Sequence, residues 1–444
     1  MKHARLGALF IALVCLGTVP RAFAGLADTL PQGLMIVETS YVNRVTESRF
    51  SNSGKVSDLV DPIDRFDVTG EFQGQITVPG KFSADIWLTK VAVGITDRLT
   101  LAAVFPVFLE RKVELNLGWV EGDPLASNNF EPFSRDDFWE WAESLGQPEP
   151  PDFKDDTFEK GDVILAAFYN FWRSDDLKLT AFGFWNTRSG SSAAPEVVGS
   201  VGTSFFELDA IGDIGIHILS DYVPPYPVLD RFTFSLEGFY EHFFEHKKHA
   251  GTGRLNPLLL NDAPFTGPWI RIDPGDFYGW AAQIGFRIWQ GPSSPTWLTR
   301  QNPALQESLP PVLTVDAKLT NLYSFDDNYK THSPQFDLDQ ENENQAQVKW
   351  NWAFTLRASL LRFGIPLDVF GQYFDQSLIP GRNFRPATGY EVGLRLYAPS
   401  PVSFLLDWIW GDSKPGSGEI EVSDLWPWRF GDEAPESRQA ADHR

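Results

Sequence analysis

The chain has 444 residues with 37 basic and 59 acidic side chains, a formal net charge of −22, and 14% aromatic residues including 16 Trp. This acidic excess argues against nucleic acid and anionic lipid surfaces as partners. The single cysteine, Cys15, excludes an intramolecular disulfide framework.

Residues 1–24 are predicted to be a secretory signal peptide. Lys2 and Arg5 precede an apolar run at 6–19, and Ala22-Phe23-Ala24 forms a small-x-small cleavage site. We therefore expect an exported protein, whose mature chain would carry a net charge of about −25, because the leader holds three basic residues and no acids.

After an N-terminal segment at 25–33, the chain alternates between apolar and polar residues. In residues 345–361 the apolar side chains take every second position from Ala346 to Leu360. Period two places successive side chains on opposite faces of a strand. The length exceeds the usual 5–6 residues or so of a strand, and is typical of a strand crossing a bilayer at a tilt. Similar segments occur at 34–44, 66–78, 82–94, 98–109, 161–172, 177–187, 214–218, 232–244, 278–288, 313–319, 367–373, 390–396, 402–410 and 419–430.

The connections between these segments differ in length. Short and medium links fall at 95–97, 173–176, 221–230, 291–311, 362–364 and 398–401, and they alternate with long ones at 110–160, 188–209, 245–276, 324–344 and 377–387. Outer-membrane barrels combine short periplasmic turns with long extracellular loops.

We predict an all-β, transmembrane, antiparallel up-and-down β-barrel over residues 34–430. It should have about 14 strands, within a range of 12–16, and be followed by a polar tail at 431–444. Whether 34–44 and 419–430 belong to the barrel is open. The acidic, Trp-rich stretch 110–160 is either a lid that folds into the lumen or a solvated extracellular loop.

Charged residues on the polar strand faces are candidates for lining the lumen: Arg287, Asp316, Lys318, Lys349, Arg357, Glu391 and Arg395. They could pair with one another and fill the interior, or unpaired ones could line a permeation path and set its selectivity.

Motifs for catalysis or metal binding are scarce. Residues 241–249 hold two glutamates and three histidines, but Lys247 and Lys248 oppose a cation, and ligands four apart on a strand lie roughly 13 Å apart. No nucleophile or metalloprotease motif accompanies the histidines. We expect no enzymatic activity, no catalytic or metal-binding residues and no cofactor.

Residues 91–106, which read VAVGITDRLTLAAVFP, resemble the G-[LI]-T-D-R-L hairpin of the outer-membrane barrels named for the meta-pathway of phenol degradation. Gly161–Leu165 and Pro274–Asp276 are similar to later positions of that family. The resemblance implies a barrel that moves small aromatic or hydrophobic molecules inward, without catalytic residues. The stretch 110–160 and the segment after Trp410 depart from the family pattern.

The sequence thus predicts a channel or transporter in the outer membrane of a Gram-negative bacterium, for passive uptake of small organic, aromatic or hydrophobic solutes. Its expected partners are outer-membrane lipid, lipopolysaccharide and the solute. Two alternatives stay open. One is a structural or adhesive barrel without transport, and the other is a soluble secreted β-protein that binds carbohydrate through its tryptophans.

Overall fold

Twelve antiparallel strands close into a barrel in the computed structural model. The structure describes residues 27–59, 63–66, 72–77, 80–115, 118–121, 136, 140, 152–155, 158–191, 203–204, 212–251, 266–292, 309–329 and 346–400. The barrel strands are β1 (Leu34–Thr46), β2 (Gly80–Thr96), β3 (Leu99–Leu115), β4 (Ile164–Arg173), β5 (Leu177–Asn186), β6 (Asp213–Tyr222), β7 (Phe232–Phe243), β8 (Phe277–Trp289), β9 (Leu313–Ser324), β10 (Gln347–Ser359), β11 (Leu367–Asp375) and β12 (Thr388–Pro399).

β1 closes the barrel, because its two edges pair with β2 and β12. Met35 lies opposite Val93 on one side and opposite Ala398 on the other. Residues 34–44 therefore belong to the barrel. With both edges of β1 occupied, no further strand can enter, and the predicted count of about 14 is not confirmed: the barrel closes at 12, the lower end of the range.

One further predicted strand lies outside the barrel, and two more fall outside the described residues. Within 66–78, Phe72–Thr77 joins a separate three-stranded sheet with Ile63–Phe66 and Gly118–Glu121. The candidates 402–410 and 419–430 lie outside the described residues, as does the tail 431–444.

Strand alternation follows the sequence pattern closely. All 13 residues of β1 alternate between buried and half-buried side chains, as period two requires when one face is enclosed. In β6, Ile214, Ile216 and Ile218 point outward and are exposed, whereas His217 and Leu219 point inward and are buried.

The two ends of the barrel differ. We call the end with the connections 97–98, 174–176, 223–231, 290–312 and 360–366 the short-turn end. The opposite, long-loop end carries the connections 47–79, 116–163, 187–212, 244–276, 325–346 and 376–387.

The stretch predicted as a loop at 110–160 begins later than expected, because β3 continues to Leu115. Asp152–Asp155 and Glu159–Lys160 then pair with β3 and extend the wall beside it. Most of 116–151 lies outside the described residues, so the choice between lid and surface loop stays open.

Short elements also stand at the long-loop end. Ser48–Phe50 pairs with Val56–Asp58, and His246–Gly251 forms a sheet with Thr266–Asp273 and Asn328–Tyr329. No helix in the described part of the chain is long and apolar enough to cross a membrane.

Candidate functional site in the barrel lumen

The barrel wall is apolar outside and charged inside. Large outward side chains remain exposed along the strands; Leu236 is 62% exposed, Ile216 55% and Leu356 52%. Inward positions hold buried charged residues such as Glu38 and Arg395, each 2% exposed. A water-soluble protein buries apolar groups and exposes charges. The reverse arrangement defines a barrel that spans a membrane.

Aromatic side chains border the apolar band on both sides. Outward rings contact one another in the pairs Tyr41–Tyr390, Tyr278–Tyr323 and Trp280–Trp350 toward the long-loop end, and Trp289–Phe363 at the short-turn end. Trp280 and Trp289 belong to one strand. At about 3.3 Å per residue and a tilt of about 40°, they stand on the order of 20–25 Å apart along the barrel axis. This height matches the apolar band of outer-membrane barrels.

One side of the lumen is filled by a paired ionic network on β1, β2, β11 and β12. Lys90 Nζ lies 2.7 Å from Glu38 Oε1 and 3.2 Å from Glu391 Oε1. Arg395 Nε donates to Glu38 Oε2 at 2.9 Å, and its guanidinium lies 3.8 Å from Asp368. Two of the candidate lumen residues, Glu391 and Arg395, belong to this network, where both are ion-paired.

A second paired group occupies β6, β7 and β9. Glu237 accepts a hydrogen bond from Lys318 Nζ at 2.7 Å and another from His217 Nδ1 at 2.7 Å. On the neighbouring positions, Gln283 Nε2 donates to Asp316 Oδ1 at 3.2 Å. The candidates Lys318 and Asp316 therefore face the interior with partners.

The other candidates lie at different levels. Lys349 is buried near the long-loop end, with its ammonium 4.9 Å from the centre of the Phe277 ring. Arg357 is buried in β10. Arg287 lies at the short-turn end, partly exposed and close to Gln290. That these residues control permeation stays a prediction.

The short-turn end is crossed by the N-terminal segment, residues 27–33. It leaves β1 and reaches β6, which lies five strands around the barrel, nearly opposite β1. There the Ala27 amide donates to Asp221 Oδ2 at 2.7 Å, and the Ala27 carbonyl accepts from Thr180 Oγ1. Ala27 and Leu30 are fully buried. The segment therefore obstructs the lumen at this end.

The hairpin between β2 and β3 holds this segment in place. The Gln32 amide donates to Asp97 Oδ1 at 3.0 Å, and the Leu30 amide donates to Thr100 Oγ1 at 2.8 Å. A Cβ atom on Gly94 would stand 2.0 Å from the Pro31 carbonyl oxygen, so only glycine permits this approach. Residues 94–100, which read GITDRLT, are thus the docking site of the N-terminal segment.

The turn between β8 and β9 also packs against this end. Arg362, in the turn after β10, donates to the carbonyls of Pro310 at 2.8 Å, Leu309 at 2.9 Å and Pro292 at 3.2 Å. Burial lowers the pKa of Arg362 from its usual value, and nearby Arg287 adds to the shift. Three carbonyl oxygens nevertheless satisfy the guanidinium.

The sequence predicts a possible obstruction at 110–160, on the long-loop end, and gives 25–33 only as an N-terminal segment. The sequence of the β2–β3 hairpin does contain a feature that indicates this docking site. The polar residues Thr96, Asp97 and Thr100 surround a glycine in one short hairpin, which is a pattern that suits backbone docking.

No family model and no curated protein matches the chain. Among solved structures, the chain is similar to an outer membrane channel from Pseudomonas putida F1 at 14% identity and TM-score 0.45, covering 86% of this chain and 98% of that one. It is similar to the translocator domain of the autotransporter NalP from Neisseria meningitidis at 10% identity and TM-score 0.38, covering 89% of this chain and 96% of that one. It is similar to the monoaromatic hydrocarbon channel CymD at 7% identity and TM-score 0.31, covering 84% of this chain and 89% of that one.

With TM-scores below 0.5, these likenesses do not bear on the function of this chain. The resemblance of residues 91–106 to the phenol-degradation barrels is not confirmed. Within the described residues, no group of three His, Cys, Asp or Glu is placed to hold a metal ion. His242 binds Asp276 on the outer side of β7, while Glu241 faces the lumen.

Proposed function

We propose that this protein is an outer-membrane channel for passive uptake of small organic solutes. Support comes from the barrel itself, whose apolar exterior suits lipid and whose charged interior suits water. The predicted signal peptide supports export to that membrane. The soluble carbohydrate-binding alternative fits poorly, because it leaves a continuous apolar band exposed to water.

The observation that carries the proposal is how residues 27–33 are attached. The segment is held by side-chain hydrogen bonds, the Lys178–Asp28 ion pair, the backbone hydrogen bond from Gly33 to Gly94 and the burial of Ala27 and Leu30, and not by a strand ladder. Each such hydrogen bond contributes only about 0.5–1.5 kcal/mol net. Because β1 closes the barrel without the segment, it can leave the lumen while the wall stays intact. A barrel built only as a structural or adhesive unit needs no removable obstruction.

The lumen next to the segment favours solutes with an aromatic or apolar part. Leu30 packs in a buried cluster with Phe168, Phe182 and Leu219, and the Phe168 and Phe182 rings stack at 4.4 Å between centroids. When the segment moves away, these rings face the passage. Ring surfaces of this kind bind apolar and aromatic groups.

Liposome swelling tests this proposal. Vesicles with the refolded mature protein would be compared with vesicles holding a variant that lacks residues 25–32, using the neutral aromatic compound phenyl glucoside and the sugar sucrose as solutes. We expect slow influx for the full protein, faster influx for the deletion variant, and a preference for the aromatic solute. Absence of influx for both solutes and both proteins would favour the structural barrel.

A further inference from the structure

Two carboxylates lie on the lumen wall near the long-loop end, on neighbouring strands and two positions apart in the register. Asp213 begins β6 and Glu241 lies near the end of β7, and each is 1% exposed. In the β6–β7 register, Glu241 is opposite Gly215. The Phe184 ring covers Gly215, where a Cβ atom would stand 2.2 Å from the ring. We call Phe184, Asp213, His217, Phe239 and Glu241 the acidic wall.

Glu241 is a carboxylate without hydrogen-bond donors: within the described part of the chain, no group donates to either of its oxygens. Asp213 interacts with the side chain of Asn186, which lies opposite it in the β5–β6 register. His217 Nε2 lies 3.8 Å from Glu241 Oε1, and within the described residues this nitrogen also has no hydrogen-bond partner. Leaving a buried carboxylate without donors is costly. A ligand that brings donors and positive charge would remove this cost.

Within the described residues, neither neighbouring lysine forms an ion pair with Glu241. Lys318 is already paired with Glu237 at 2.7 Å. Lys349 interacts electrostatically with Glu241, but its ammonium lies over the Phe277 ring rather than in an ion pair. Around Glu241, the carboxyl groups of Asp213 and Glu237 act electrostatically against the one lysine, Lys349.

Aromatic rings complete the wall. The His217 ring stacks on Phe239 at 5.1 Å and meets Phe182 and Phe184 edge-on at 4.8 and 5.6 Å. Rings beside carboxylates are the combination that binds organic ammonium groups, through charge pairing and cation–π attraction. The ammonium of Lys349 over Phe277 shows the same contact within the chain.

We propose that the acidic wall is a binding site for a small organic ammonium ion with an aromatic group. The ammonium would lie between Asp213 and Glu241, and the ring would lie against Phe184 and Phe239. This inference rests on the proposed channel, which brings solutes to the lumen, and it names the charge class of a preferred solute.

Isothermal titration calorimetry on the refolded mature protein in detergent tests the site, with benzylammonium chloride as the probe. Benzyl alcohol and benzoate have the same ring and similar size but no positive charge. We expect saturable binding of benzylammonium only. Equal binding of benzyl alcohol would overturn the proposal, and this comparison needs no variant.

Glu241→Gln should weaken benzylammonium binding at least tenfold, because it removes one charge and keeps the shape. Asp213→Asn provides a second variant in case the first does not fold. The matched control is Asp85→Asn, which makes the same change on the outer face of β2, where Asp85 binds Asn43. Unchanged affinity in both wall variants, or equal loss in Asp85→Asn, would overturn the assignment.

Binding in detergent does not require transport, so the channel proposal and the binding-site proposal can be refuted independently of each other. Benzylammonium binding without influx into liposomes would overturn the channel and keep the site. Influx of aromatic solutes without benzylammonium binding would overturn the site and keep the channel.

Discussion

At the scale of residues, the ionic network around Lys90 shows how a membrane barrel holds buried charge. Lys90 is 3% exposed and is shared between Glu38 and Glu391. Ser40 Oγ donates to Glu391 at 2.7 Å, and Tyr397 donates to Asp368 at 2.6 Å. Buried charges are tolerated only when paired and hydrogen-bonded. The network therefore couples four strands through groups that cannot be removed singly without cost.

Replacing Lys90 tests that coupling. Lys90→Met leaves Glu38 with Arg395 alone and Glu391 with Ser40 alone, so we expect the free energy of unfolding to fall by about 3–5 kcal/mol. Lys112→Met is the control, since Lys112 is bonded to Glu114 at a partly exposed position and should cost below about 1 kcal/mol. Urea titration of the refolded proteins in detergent would measure both. Equal losses would show that the network does not stabilise the barrel.

Sequence alternation indicated which charges face inward, yet it could not name their partners. Lys90 and Glu391 are 301 positions apart in the chain and meet because β2 and β12 both flank β1. Period two is a property of one strand, whereas a pair depends on the register between strands. The unpartnered state of Glu241 was unpredictable for the same reason.

At the scale of elements, most barrel strands were predictable with small errors at their ends. Residues 177–187 were predicted and β5 spans Leu177–Asn186; 313–319 were predicted and β9 continues to Ser324. The stretch 66–78 has the same alternation but lies in a small sheet outside the barrel. Alternation indicates a two-faced strand, and it does not distinguish a lipid-facing strand from a strand in a loop.

The N-terminal segment is the element whose role the sequence concealed, and Gly94→Ala tests it. The new Cβ would collide with the Pro31 and Leu30 carbonyl oxygens, at 2.0 and 2.7 Å. Gly94 is held by its pairing with Thr100 of β3, and its carbonyl accepts a hydrogen bond from the Gly33 amide of the segment, so the clash falls on the segment. We expect single-channel openings in planar bilayers to become several-fold more frequent.

Gly238→Ala is the matched control for that experiment. No atom lies within 4 Å of the Cβ position on Gly238, so this variant should open as rarely as the natural protein. Equal behaviour of Gly94→Ala and the natural protein, with both folded, would show that the segment does not obstruct the passage.

At the scale of the whole molecule, the solvent around the barrel, lipid or water, determines which exposed apolar residues can be replaced by a charged residue without loss of stability. Leu236 and Val56 are both exposed apolar residues, at 62% and 67%. Leu236 lies midway along β7, inside the apolar band, whereas Val56 lies in a hairpin at the long-loop end. In water the two positions would tolerate arginine equally.

In a membrane the two substitutions should differ. We expect Leu236→Arg to destabilise the protein folded in lipid vesicles, so that its free energy of unfolding falls by about 2–4 kcal/mol. This is the cost of a charge near the bilayer midplane. Val56→Arg should change the free energy of unfolding by less than about 0.5 kcal/mol. Reversible unfolding from vesicles in guanidinium would measure both, and indistinguishable values would contradict a membrane-spanning wall.

The most direct measurement of the central claim is the conductance of an Ala27→Cys/Thr180→Cys variant. The Ala27 carbonyl accepts a hydrogen bond from Thr180, and the chain has no cysteine after Cys15, so an oxidised pair would fix the segment across the lumen. We predict closed channels when oxidised and openings after a reductant is added, with Ala27→Cys alone unaffected by either treatment. Conductance that is equal in the oxidised and reduced states, or absent in both, would contradict a channel closed by its own N-terminal segment.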